Sequence, residues 1–283
     1  MKILIKIYKR ISFLSLDIVL GALSGSIMAQ KVFNTPINYS WLIILGISVW
    51  IIYTADHLLD SIKSKNLIAA ERRLFYRKYF KLLFVLEIFF LIIVLYMSFK
   101  LIEIKLIKAG LIIGLFIAFY FLMLYLFNAK KTLLLQKEMI VALIYTTGIF
   151  IAPLSKVYPD INIYQILIII SFFLIVWADI LLIAIFELNK DIHDNFTSLP
   201  VIIGIESTAG FMSILLYIAF IFIVLISLFS QINTIYTMSS IILFVIGISQ
   251  IIIYKQRYYF SKNDIYRFAT EAIFFLPAFM IFV

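Results

Sequence analysis

Apolar runs of roughly 18–20 residues recur from one end of this chain to the other, and each is long enough to cross the ~30 Å hydrocarbon core of a bilayer as a helix. Residues 163–186, IYQILIIISFFLIVWADILLIAIF, form one such run. Inside lipid a backbone N–H or C=O finds no water, so a segment of this kind closes its hydrogen bonds within itself as a helix. The composition leaves no soluble alternative. The chain is 65% hydrophobic and 14% charged, and its mean hydropathy is +1.13, so there is too little polar surface to coat a globule. The expectation is an all-α polytopic membrane protein, a single domain over residues 1–283, with nine spans. We place them at 11–30, 40–59, 80–99, 107–127, 138–155, 163–186, 207–230, 235–254 and 265–283. The first apolar stretch runs from Ile11 past Ala29, which is too long for the core of a cleaved signal peptide.

The formal net charge of +9 has a topological origin. Of the 24 Lys and Arg residues, 19 fall in the N-terminal segment or in every second loop after it. The other side holds only Lys31, Lys100, Lys105, Lys108 and Lys156. By the positive-inside rule the N-terminus is expected in the cytoplasm. Nothing then points to nucleic acid. The absence of cysteine excludes disulfides, iron–sulfur clusters, thiol catalysis and Cys-ligated zinc. With His57 and His193 the only histidines, a zinc site built mainly of imidazole is not expected.

Against this background two short stretches stand out. WIIYTADHLLDSIKSK (50–65) closes the second span, and FELNKDIHDNFTSLPVIIG (186–204) closes the sixth. Asp56 and Asp60 are four residues apart, as are Glu187 and Asp191, so each pair projects from one face of a helix. Like charges at this spacing repel unless a cation lies between them. Clusters of carboxylates suit Mg²⁺, which keeps several waters and is held by one or two carboxylates together with substrate phosphates. Asp194, three residues beyond Asp191, and Asn189 belong to the second group. Acids at helix ends are also ordinary interfacial residues; two such pairs on the same side argue for more than that. The histidine inside each stretch reads either as a proton shuttle or phosphate contact, or as a neutral imidazole filling polar space.

In topology and in these two stretches the chain resembles the UbiA family of intramembrane prenyltransferases. That family carries aspartate-rich motifs on the cytoplasmic side after helices two and six. IYTADHLLD (52–60) matches the second and third aspartates of the first motif as Asp56 and Asp60, while Ile52 and Tyr53 stand where the family has Asn and Asp. ELNKD supplies Glu187 and Asp191 of the second motif, with Glu in place of the usual first Asp, and SLPVIIG (198–204) supplies its characteristic tail.

The resemblance implies a nine-helix bundle around a central cavity. It implies a Mg²⁺ cofactor on Asp56, Asp60, Glu187, Asp191 and Asp194, and a polyprenyl diphosphate as donor. Ionising that donor requires positive charge around the departing diphosphate. Lys63, Arg72, Arg73, Lys137 and Lys190, with Asn189, are the expected contacts, although each basic residue also serves topology. Tyr53, Tyr120, Tyr145 and Asp179 are candidate pocket residues, and Tyr53 in addition lies on the motif helix itself. The expected reaction is transfer of the prenyl group to a lipophilic acceptor, in a bacterial cytoplasmic (inner) membrane, among membrane lipids. A terpene cyclase on the same scaffold is the first alternative. An ion-coupled transporter, using the intramembrane Asp17, Glu87, Asp179 and Glu271, and a non-catalytic prenyl-lipid binder are the others.

Overall fold

A computed structural model describes Tyr8 and residues 10–63, 71–126, 137–194, 196–230 and 233–283. Among the described residues there is no strand. The helices are α1 (Leu16–Val32), α2 (Tyr39–Lys63), α3 (Glu71–Lys78), α4 (Phe80–Leu101), α5 (Ile104–Leu126) and α6 (Lys137–Val157). They continue as α7 (Ile163–His193), α8 (Leu199–Ile203), α9 (Ile205–Phe229), α10 (Thr234–Lys255), α11 (Arg257–Phe260) and α12 (Ile265–Ile273). A 3₁₀ turn, Leu276–Phe282, ends the chain. Eight described segments are long and apolar enough to cross a membrane, the last of them Ile265–Phe282. The molecule is therefore an all-α polytopic membrane protein. The remaining apolar helix, α1, has 17 residues, because Ser15 adopts a left-handed φ of 54° and breaks the helical run that sequence alone reads as continuous from Ile11.

α7 is the axis of the bundle. In its most apolar stretch 56% of the residues are buried, against 11% in α4 and in α5, which face outward along most of their length. It packs against α6, α9, α10 and α12. α6 packs against both α2 and α7 and so stands between the two motif helices. Small residues let α1 approach this core closely. A Cβ added at Gly25 would sit 3.1 Å from Ile149 and 3.2 Å from Phe172, and one at Gly21 would sit 3.0 Å from the Tyr145 hydroxyl.

Three departures from the sequence reading bear on the site. α7 does not stop near Phe186 but runs on to His193, so at 31 residues it is about 46 Å long and carries the second acidic stretch as helix beyond the ~30 Å hydrocarbon core. An Asn162–Gln165 capping box starts it. The connection after α2, between the expected spans 40–59 and 80–99, contains a further helix, α3. Its two faces differ. Glu71, Leu74, Phe75 and Lys78 line an outer groove with Arg10 and Phe13, while Tyr76 is buried against Leu58 and Leu83, and Arg72 and Arg73 point to the same inner side. The ninth expected span, 265–283, is helical only to Ile273 and then tightens into the 3₁₀ turn, with Pro277 in its first positions.

Candidate functional site

Both acidic stretches lie at one end of the bundle, and Arg73 links them. Its guanidinium donates from Nη1 to Asp194 Oδ2 at 2.5 Å and from Nη2 to Asp191 Oδ1 at 2.8 Å, and it stacks over the Phe196 ring at 3.8 Å from the centroid. Asp60 of the first stretch acts on the same guanidinium electrostatically. Burial lowers the Arg73 pKa, but the hydrogen bonds to Asp191 and Asp194 more than offset this and leave it above the ordinary arginine value. The same environment pushes the Tyr76 hydroxyl up, chiefly through burial.

The other residues of the second stretch are also held. Glu187 accepts from the Tyr266 hydroxyl at 3.1 Å and forms an ion pair with Arg267. Phe186 stacks face to face on Tyr266 at 4.5 Å. Lys190 donates to Asp264 at 2.8 Å and so is turned toward the start of α12. His193 Nδ1 lies 3.0 Å from Asp194 Oδ1. Asn189 is exposed on α7. The SLPVIIG tail folds into α8: Ser198 precedes it, Pro200 occupies its first turn and Gly204 ends it at φ 85° and ψ 164°, a conformation that a Cβ makes costly. The Leu199 N–H donates to Glu138 Oε1 at 3.0 Å, which ties this tail to the first turn of α6.

The first stretch is arranged differently. Asp56, His57 and Asp60 each offer a ligand atom, and these atoms lie within 4.8 Å of one another, the one such group among the described residues. His57 Nδ1 is 4.0 Å from Asp56 Oδ2. The imidazole is 8% exposed, its Nε2 has no hydrogen-bond partner, and its ring meets Tyr76 edge-on at 5.0 Å. Tyr53, one turn back, is half-buried with its ring 6.5 Å from that of His57.

Cations surround this group. Lys137, at the start of α6, feels the charges of Asp60 and Asp56, and Arg72 acts on both His57 and Tyr53. Among the described residues neither Lys137 nor Arg72 is held by a hydrogen bond or ion pair. The side chain of Lys63, together with Gln136 and Asn195, lies outside the described residues.

Of the pocket candidates, Tyr120 carries a buried hydroxyl with no hydrogen-bond partner and lies within the influence of Lys137 and Asp56. Tyr145 and Tyr53 both lie within the influence of Glu271 and Asp179. Asp179 itself is buried and accepts from Gln250 Nε2 at 3.3 Å. Asp17 accepts from the Tyr8 hydroxyl at 3.0 Å, an ordinary structural hydrogen bond.

Sequence reasoning missed Arg267 and Tyr266 as partners of Glu187, Glu138 as the anchor of α8, and Phe196 beneath Arg73. Arg267 had a readable signal, since an arginine inside an apolar segment seeks a carboxylate. The others are joined only by the fold. Comparison with protein-family models, curated proteins and solved structures returns no match.

Proposed function

We propose that the chain is an intramembrane prenyltransferase of the UbiA type, which ionises a polyprenyl diphosphate and transfers the prenyl group to a lipophilic acceptor. The observation that carries this reading is the convergence on Arg73: Asp191 and Asp194 bind its guanidinium directly while Asp60 acts on it, so both acidic stretches serve one place at one end of the bundle. On this reading α1 is the first of nine spans and the N-terminus is cytoplasmic, which sets that place at the cytoplasmic mouth of a central cavity.

The donor set fits a hard divalent cation. Asp56 and Asp60 are like charges on one helical face with ligand atoms within 4.8 Å, and Mg²⁺ is commonly held by two carboxylates plus phosphate oxygens. A bound Mg²⁺ supplies charge neutralisation and alignment for the departing diphosphate. The residues do the rest. Arg72 and Lys137, held by no ion pair among the described residues, take diphosphate oxygens as charge-assisted donors. Arg73 and Arg267, with Glu187, Asp191 and Asp194, make the rigid wall of the site. Tyr53, Tyr120 and Tyr145, on the spanning helices α2, α5 and α6, are the proposed pocket wall, whose aromatic faces favour an allylic cation and exclude the water that would quench it.

One observation favours terpene cyclisation as a second reading. Tyr53 replaces a family aspartate, and its ring lies beside His57 and within the influence of Asp56, so an aromatic wall adjoins the reacting end of the donor. The test is release of pyrophosphate by purified protein in detergent from prenyl diphosphates of increasing length, with Mg²⁺ or with EDTA. Mg²⁺-dependent release is expected. A product with the mass of the donor less diphosphate identifies a cyclase, and a requirement for lipid extract identifies a transferase. No release under either condition overturns the proposal in favour of binding or transport.

A further inference from the structure

The first acidic stretch contains a buried imidazole that the reading above does not use. Asp56, His57 and Asp60 occupy one turn of α2. On a helix Asp60 projects near both Asp56, four residues before it, and His57, three before it. Their ligand atoms lie within 4.8 Å of one another, and His57 Nδ1 is 4.0 Å from Asp56 Oδ2. Cis donors on an octahedral ion at about 2.1 Å are about 3 Å apart, so rotation of a carboxylate and a small movement of the ring close the set. The ring meets Tyr76 edge-on at 5.0 Å. It is more than nine-tenths buried, and its Nε2 has no hydrogen-bond partner, although a buried polar group is normally hydrogen-bonded. A neutral filler in polar space would be expected to satisfy both nitrogens. This ring instead leaves Nε2 unpartnered and holds Nδ1 4.0 Å from Asp56 Oδ2, beyond hydrogen-bond distance.

We infer that His57 is a direct metal ligand, the third of a one-turn Asp–His–Asp set that prefers a first-row transition ion such as Mn²⁺ over Mg²⁺. The inference rests on the reading that Asp56 and Asp60 hold the metal, and it extends that reading to the metal's identity. Magnesium takes oxygen donors, whereas imidazole suits first-row transition ions, so one nitrogen among carboxylates shifts selectivity toward that class, of which Mn²⁺ is the member that carboxylates also hold. Three ligands from one turn cover one face of the ion and leave the opposite face for water or diphosphate oxygens. Arg72 and Lys137, held by no ion pair among the described residues, both act on the His57 ring and are available to an anionic ligand at this group.

The test uses Mn²⁺ as the probe, alone and with inorganic pyrophosphate, on the full chain in detergent. Pulsed electron paramagnetic resonance of bound Mn²⁺ in the unaltered protein is expected to show coupling to a directly coordinated ¹⁴N. His57→Ala is expected to remove that coupling and to weaken Mn²⁺ binding at least tenfold, the lower end of the loss seen when even a group one shell further out is removed. Mg²⁺ binding is expected to change much less. Bound Mn²⁺ without ¹⁴N coupling, with affinity lost in Asp60→Asn but kept in His57→Ala, overturns the role of His57 and leaves the two aspartates as the site. Failure of the unaltered protein to bind either ion, with or without pyrophosphate, overturns the metal reading beneath it.

Discussion

At the end of α7 the motif carboxylates are held by side chains from elsewhere in the fold: Arg267 and Tyr266 on Glu187, Arg73 on Asp191 and Asp194. At the end of α2, Asp56, His57 and Asp60 bring ligand atoms within 4.8 Å of one another. The two stretches share a four-residue acidic spacing and one end of the bundle, yet the first is a set of converging donors and the second is a joint. The joint ties α3 and α12 to α7, the most buried of the eight described segments long enough to cross a membrane. Its geometry fixes where Arg72, next to Arg73 in sequence, and the C-terminal segment stand relative to the donors. Spacing therefore identifies acids that share a helix face, but their use depends on which cations the fold brings to them.

The sharpest way to break this comparison is to cut the joint. Arg73→Ala removes this guanidinium from Asp194, whose side chain is fully buried, and from Asp191, nearly so. Removing one partner of a buried ion pair costs about 3–5 kcal/mol, because the remaining charge stays desolvated. Thermal unfolding in detergent is expected to show that loss, with α3 becoming protease-sensitive first. An unchanged melting temperature would mean that the second stretch is no more structural than the first. The loss is expected to be insensitive to pH on the arginine side. The folded pKa of Arg73 is raised, so its contribution is fully present below the unfolded value and disappears only above an already high range.

A milder cut tests the other half of the joint. Tyr266→Phe removes the hydrogen bond to Glu187 but keeps the stack on Phe186 and the Arg267 ion pair. About 1 kcal/mol of stability is expected to be lost, the net value of a typical hydrogen bond. Pyrophosphate release under saturating donor and metal should stay within a few-fold. A large fall in turnover with little change in stability would move Glu187 from the joint to the reacting centre.

The two halves of this comparison were unequally legible in the sequence. The apolar runs announced the helices, since lipid admits few alternatives. The four-residue spacing announced that Asp56 and Asp60 share a face. What stayed hidden depends on long-range placement. Arg73 meets Asp191 and Asp194 from 118 and 121 residues away, and no local pattern distinguishes it from its neighbour Arg72. The continuation of α7 past Phe186 was hidden for a related reason: hydropathy falls at Glu187, but the last two turns are supported by ion pairs whose partners lie on α3 and α12 and just before α12. The break at Ser15 needs a left-handed φ that no residue type there announces.

The smallest effect on stability separates the two stretches most cleanly. Asp56→Asn removes one of two like charges four residues apart on α2, and its side chain is still 29% exposed. Repulsion at this spacing is worth a few tenths of a kcal/mol, so without metal the variant is expected to melt at the same temperature as the parent or slightly above it. The carboxylate is nevertheless a donor that the amide replaces poorly, so Mg²⁺-dependent pyrophosphate release is expected to be lost. Unaltered or improved folding with lost chemistry is the signature of residues arranged for a ligand, whereas Arg73→Ala loses folding first. If Asp56→Asn destabilised the protein by several kcal/mol, the α2 carboxylates would be a second joint, and the donor role would pass to whichever acids can be removed without loss of folding.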